Sequence, residues 1–250
     1  MKFFPRMMAA ALLLLCSTDA LAGPIGPIEV STTGVPEYRV DLGGGFFRQG
    51  RRLRTGPGSF DVTRNEAYGT LRYTGYDWSV GGRFGVANLD EKPVGAESSE
   101  AGRTESFKPM VGIVAKALMV SDPAGDFGLG ATFQATRYLY DTYQNYLTVG
   151  LAITAQQRWK SLTVYGGPFF SYGSGRRKGG VATDNTGSTK VDYAKETPLV
   201  GLCAGFSFAL PKSMVFEVEG QSTGIASGNG FSTGLSDWAV GAGLRIPVWY

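Results

Sequence analysis

From residue 38 to the end of the chain, apolar and polar positions alternate with a period of two. Ten segments carry this pattern, near 38–46, 67–74, 78–86, 110–117, 127–134, 147–154, 162–172, 200–208, 214–221 and 240–250. In the first, Tyr38, Val40, Leu42 and Phe46 share one face and Arg39, Asp41, Gly43 and Gly45 the other. In the third, Trp78, Val80, Phe84 and Val86 oppose Ser79, Gly81, Arg83 and Gly85. In the eighth, Val200, Leu202, Phe206 and Phe208 face away from Gly201, Cys203, Gly205 and Ser207. A side chain that changes side at every residue is the mark of a strand, and a helical period of 3.6 is almost absent. The expectation is an all-β chain.

Alternation alone does not say which face meets solvent, but the connections do. They run near 48–66, 74–77, 88–106, 121–125, 137–145, 158–161, 173–196, 211–213 and 222–235, and long and short strictly alternate. An up-and-down barrel crossing a membrane puts short turns at one end and long loops at the other, with an even number of strands. Strands of about ten residues at ~3.3 Å each, tilted by ~40°, rise about 25 Å, the height of the apolar band such barrels present to lipid. The expected fold is therefore an antiparallel up-and-down transmembrane β-barrel of ten strands, with eight or twelve as alternatives. Its apolar face points outward and its Gly, Thr, Ser and charged face encloses the lumen. Tyr73, Tyr76, Trp78, Phe127, Trp159 and Tyr250 fall at the short-turn end, and Phe46, Phe107, Tyr138, Tyr140, Tyr146, Phe170 and Trp238 at the other. Two aromatic girdles at headgroup level are expected from them.

Ahead of the strands, Lys2 and Arg6 precede an apolar run from Met7 to Leu15, followed by Ser17, Thr18, Asp19 and Ala20-Leu21-Ala22. That order reads as a secretory signal peptide over 1–22, cleaved after Ala22. A short periplasmic segment at 23–35 and the barrel at 36–250 would follow. The mature 228 residues carry 22 basic and 20 acidic side chains, a balance that gives no support to nucleic-acid binding. Only Cys203 remains after cleavage, so no intramolecular disulfide can form. The chain has no histidine, which removes Ser-His-Asp triads, Cys-His dyads and His-based zinc sites. A mean hydropathy of -0.05 fits a lipid face and a polar interior averaged two residues at a time.

The signal peptide, the alternation and the C-terminal Leu244-x-Ile246-x-Val248-x-Tyr250 together resemble the bacterial outer-membrane β-barrel class. The resemblance covers essentially the whole mature chain and identifies an architecture, not a particular protein. It implies an outer-membrane location in a Gram-negative cell envelope. It also implies that Leu244, Ile246, Val248 and Tyr250 form the signal read by the barrel assembly machinery. Pro247 departs from the pattern, since it removes one ladder donor, which a strand end tolerates. Ten-stranded barrels include omptin proteases, whose water-activating site depends on histidine; the composition excludes that chemistry here, and weighs equally against lipid A deacylases.

Charges cannot face lipid cheaply, at ~2–4 kcal/mol for Arg or Lys at mid-membrane. Arg39, Asp41, Arg72, Arg83, Lys116, Glu217, Glu219 and Arg245 therefore read as a charge belt in the lumen. Arg245 lies between the strand carrying the two glutamates and the closing strand carrying Asp41. One reading is a salt-bridged plug that rigidifies the wall, and the other is a constriction that favours small anions. In the long loops, Arg51, Arg52, Arg54, Arg176, Arg177 and Lys178 are candidates for lipopolysaccharide phosphates, which arginine binds in a bidentate fashion. The second long loop is acidic instead, with Asp90, Glu91, Glu97, Glu100 and Glu105. No catalytic, metal or cofactor motif emerges. The functional expectation is a monomeric, non-enzymatic outer-membrane barrel with a structural or cell-surface role. A narrow porin-like channel for small, anionic solutes is the alternative, and a barrel enzyme acting on lipid or peptide the more distant one.

Overall fold

Each of the ten alternating segments is a strand in the computed structural model, which describes residues 38–55, 58–94, 102–122, 124–183, 189–196, 199–227 and 238–249. The expected leader, its cleavage site, the 23–35 segment, Glu97, Glu100 and Tyr250 lie outside the described residues. The strands are β1 (Arg39–Thr55), β2 (Gly58–Thr74), β3 (Trp78–Val94), β4 (Thr104–Ser121), β5 (Phe127–Tyr138) and β6 (Tyr143–Trp159). They continue as β7 (Leu162–Thr183), β8 (Thr189–Glu196), β9 (Leu199–Ala209), β10 (Val215–Ser227) and β11 (Trp238–Trp249). Each membrane strand pairs antiparallel with its neighbours, and β11 pairs back onto β1, so the sheet closes and its edges are paired.

The registers fix the shape. A path along the ladder runs from Leu162 through Phe208, Phe216, Leu244, Gly44, Gly69, Phe84, Val111, Arg137 and Leu147 to Ser174. One circuit of ten strands thus returns to β7 twelve residues further along (162 to 174). With strands ~4.8 Å apart and ~3.3 Å per residue, that stagger gives a tilt of about 40° and a backbone radius of about 10 Å. Arginines on opposite walls of so narrow a cylinder nearly meet at its axis.

The surface is inverted relative to a water-soluble sheet. Leu71, Phe84, Val111, Ile113, Leu151, Ile153, Leu202, Val240 and Leu244 all stand exposed on the outside. Asp41, Arg72, Arg83, Lys116, Thr132, Thr154 and Glu219 are buried within. An apolar exterior around a polar interior is the arrangement of a transmembrane barrel, and the chain has the fold of the outer-membrane β-barrels. No helix among the described residues is long and apolar enough to cross a membrane, as expected of a chain that crosses with strands. Tyr38, Tyr73 and Trp78 cluster at the short-turn end, with ring centroids 6.1 and 5.6 Å apart; Tyr76 lies beside them, and Phe127 and Trp159 are exposed at the same end. Pro247 sits where the β1–β11 register shifts, between Val40 and Asp41, a bulge at which its missing N–H breaks no regular ladder.

Three features depart from the sequence reading. The 48–66 connection is mostly paired strand, since β1 and β2 stay in register as far as Thr55 and Gly58. Within 173–196 lies an eleventh strand, β8, which pairs with β7 and, through Leu53 and Arg54, with β1. Beyond the ends of β9, β10 and β11, the wall therefore closes through β8, narrowing from ten strands to eight. Third, Tyr138, Tyr140 and Tyr146 belong to no outer girdle: they are 1%, 3% and 0% exposed and point inward. Phe46, Phe107, Phe170 and Trp238 do face outward at that end.

Candidate functional site: the charged lumen

Strand parity carries the eight belt residues inward. On β2, Thr70 and Arg72 follow Tyr68 on the enclosed face; on β3, Ser79, Gly81 and Arg83 do the same; on β11, Gly241, Gly243 and Arg245. Arg245 bridges two carboxylates, with its Nη2 2.9 Å from Glu217 and its Nη1 3.5 Å from Asp41. Arg39 approaches Asp41 from the other side at 3.0 Å, and Thr74 donates its hydroxyl to the same carboxylate. Glu217 and Glu219 have different partners: Glu217 meets Arg245. Glu219 instead accepts from the Tyr165 hydroxyl at 2.9 Å and from Gln221 Nε2 at 2.7 Å.

A cavity of about 50 Å³, large enough to hold water, lies at this level. Arg72, Arg83, Lys116, Arg245 and Glu217 are the charged groups on its wall, with Tyr68, Thr70 and Gln134 between them. Gly43 and Gly243 line it too, and at Gly43 the missing side chain makes room for Thr70, whose Oγ1 would lie 2.7 Å from a Cβ there. The Arg83 guanidinium lies 4.0 Å over the Tyr68 ring, a cation–π contact that fixes its plane.

Towards the long-hairpin end the lumen holds further side chains that lay outside the expected belt. Glu66, fully buried, takes Arg64 Nε at 3.0 Å, Arg83 Nη2 at 2.6 Å and the Tyr138 hydroxyl at 2.6 Å. Arg64 in turn lies 4.4 Å over the Tyr138 ring. Behind this knot Phe60, Val62, Ala87, Leu89, Met110, Tyr138, Tyr140, Tyr143 and Tyr146 form one apolar cluster, with Tyr138 and Tyr140 stacked at 5.4 Å. Glu91 accepts from the Tyr143 hydroxyl and Glu105 from the Thr142 amide, so two members of the acidic loop turn into the rim. The available signal was parity: Tyr138 shares its face with Gln134 and Thr136, Tyr146 with Thr148, and Glu66 with Tyr68 and Thr70.

The surface cluster divides. Arg51 is 3% exposed, and its Nη1 donates to Ser171 Oγ at 2.9 Å across the lumen, which withdraws it from any contact at the outer surface. Arg176 and Lys178 are exposed on the outward face of β7; the side chains of Arg52, Arg54 and Arg177 lie outside the described residues. Two further cations share the outward face just beyond the apolar band. Arg48, over the Trp238 ring at 5.9 Å, follows Phe46, and Arg137, bonded to Asn145, follows Ala135. Leu244, Ile246 and Val248 of the C-terminal pattern all face outward. Cys203 is buried and donates weakly to the Gly167 carbonyl. No group of three or more metal-ligating side chains occurs among the described residues.

No protein-family model and no curated protein matches the chain. Among solved structures it is similar to the outer membrane protease OmpT from Escherichia coli, at 11% identity and a TM-score of 0.41, covering 84% of this chain and 95% of that one. The transport unit of the autotransporter AIDA-I from Escherichia coli gives 10% identity and 0.38, covering 87% and 92%. Neisserial surface protein A gives 12% identity and 0.31, covering 86% and 99%.

Proposed function

We propose that this chain is an integral protein of the bacterial outer membrane with a structural or surface-interaction role, and that its lumen is closed to solutes. The observation that carries this reading is the filled rim: the Arg64–Glu66–Arg83–Tyr138 knot and the tyrosine cluster occupy the lumen where the wall narrows to eight strands. Eight-stranded interiors are just filled by side chains, which leaves no water path at that level. The outward cations give the surface role a chemistry. Arg48, Arg137, Arg176 and Lys178 stand at or beyond the upper edge of the apolar band, where lipopolysaccharide phosphates lie in an outer leaflet. Export through the 1–22 leader and insertion by the barrel assembly machinery complete the proposal.

Planar-bilayer recording of the refolded chain tests it. Closed-lumen behaviour is an absence of discrete steps at 1 M salt. Regular anion-selective steps that collapse on Arg83→Glu would establish the rival channel reading, which the excess of lumen cations favours. For the surface role, lipopolysaccharide should bind more weakly to an Arg48→Gln/Arg137→Gln/Arg176→Gln triple variant, with a shallower salt dependence. Unchanged binding would remove that partner.

A further inference from the structure

We propose that the cavity below the plug is a binding site for a small, doubly charged oxyanion, with Arg83 as its principal ligand. Three observations converge on it. The first is charge. Between the short turns and the plug, the belt residues Arg39, Arg72, Arg83, Lys116 and Arg245 face Asp41, Glu217 and Glu219, five cations against three carboxylates, and Arg158 beside Asp126 at the short-turn end adds one charge of each sign. Arg64 and Glu66, at the plug, add one charge of each sign and leave the excess unchanged. Buried charge of one sign is unfavourable unless a counter-charge accompanies it.

The second is hydrogen bonding. Arg83 is 5% exposed and lines the cavity, and it spends only Nη2 on Glu66. Its Nε and Nη1 are buried and donate to no protein acceptor. Buried N–H groups are normally satisfied, and these two point from different edges of the guanidinium, so each calls for an acceptor that the protein does not supply. The third is shape. Tyr68 holds that plane from one side, and Gly43 and Gly243 put no side chain of their own into the cavity. Thr70 and Gln134 add neutral donors to the same wall.

Size and charge set the class of ligand. A cavity of about 50 Å³ suits a small ion such as inorganic phosphate or sulfate. Entry is from the short-turn end, because the plug bars the other; this direction alone rests on the closed-lumen reading.

The test is titration of the full refolded barrel, in phosphate-free zwitterionic detergent, with inorganic phosphate by calorimetry, against sodium chloride at matched ionic strength. The expected result is saturable binding to one site, weakened at least tenfold by Arg83→Gln and by Lys116→Gln and unchanged by Arg176→Gln. Folding of each variant is read from heat-modifiable electrophoretic mobility; if Arg83→Gln fails to fold, Lys116→Gln and Arg72→Gln decide. No saturable binding up to tens of millimolar overturns the site. So does wild-type affinity in the folded lumen variants, or weakening by Arg176→Gln alone. Bilayer recording separates this inference from the functional one. Binding with no conductance supports both, and binding with anion-selective steps keeps the site while ending the closed-lumen reading.

Discussion

Replacing Glu66 by Gln tests whether the plug holds the rim together. The substitution keeps the volume of the side chain and removes its charge. Glu66 is fully buried and serves three donors at once: Arg64 Nε at 3.0 Å, Arg83 Nη2 at 2.6 Å and the Tyr138 hydroxyl at 2.6 Å. The amide oxygen retains one acceptor, but two buried guanidiniums lose their carboxylate. Removing one partner of a buried pair costs about 3–5 kcal/mol, and hydrogen bonds to charged groups are worth ~1.5–3 kcal/mol each. A loss of about 4 kcal/mol follows. At a slope of ~2–3 kcal/mol per molar urea, the unfolding midpoint in lipid vesicles falls by about 1–2 M. Glu217→Gln is the internal control. Its partner Arg245 keeps Asp41, and the Glu217 side chain is 20% exposed, so about 1 kcal/mol or less is expected. If the two variants unfold at the same urea concentration, or Glu217→Gln is the weaker protein, the reasoning about the knot is wrong.

Removing the tyrosine cluster with Tyr138→Ala/Tyr146→Ala should create conductance steps in planar bilayers where the parent shows none; a folded double variant that stays silent would place the barrier elsewhere. Gly85 and Gly82 both lie on β3 and have opposite tolerance. A Cβ at Gly85 would lie 2.1 Å from the Ala67 carbonyl oxygen, whereas one at Gly82 meets nothing within 4 Å. Gly85→Ala should therefore cost ~1–3 kcal/mol or stop assembly, while Gly82→Ala leaves the urea midpoint unchanged or raised. Ile153→Lys, on the outward face at mid-band, should lose ~2–4 kcal/mol in vesicles, and a neutral result would argue against lipid on that face.

How much of this was legible in the sequence depends on where along a strand one looks. Within the apolar band, alternation assigned every face: Leu71 out and Arg72 in, Phe84 out and Arg83 in, Leu244 out and Arg245 in. The contact of Arg245 with both Asp41 and Glu217 follows from the strand order. Beyond the band the pattern inverts. On β2 the inward residues change from Thr70 and Arg72 to Val62 and Phe60, while the outward ones change from Leu71 to Asn65, Thr63 and Asp61. A reader following apolar side chains as the outward face loses the strand at that point, which is why 48–66 reads as a loop. The tyrosines mislead for the same reason, because aromatic residues near a strand end suggest a girdle when only parity says they turn in. β8 has no counterpart in the pattern, since it forms where no lipid imposes one.

The inversion also explains why the plug sits where it does. At membrane level the wall is stabilised from outside by lipid, so its inner face can be polar and its charges need only balance one another. Beyond the membrane the outer face meets water, and the hydrophobic contribution has to come from within, as in any soluble domain. Ten strands enclose too wide a space for one layer of side chains. Exchanging β9, β10 and β11 for the single β8 narrows the ring to eight, the number whose interior side chains can fill. The tyrosine cluster is then the core of a small water-exposed barrel built on the end of a membrane barrel. The Glu66 knot stands at the junction, where a polar lumen becomes an apolar core. On the closed-lumen reading, closure of the pore follows from that need for a core, whatever the surface binds. On this argument, shortening the β7–β8 hairpin by deleting residues 179–192 should loosen the rim and expose it to protease. The ten-strand barrel, which its lipid face stabilises independently, should keep its heat-modifiable migration. Loss of that migration along with the rim would show that the two parts fold as one unit and that the rim is no separate core.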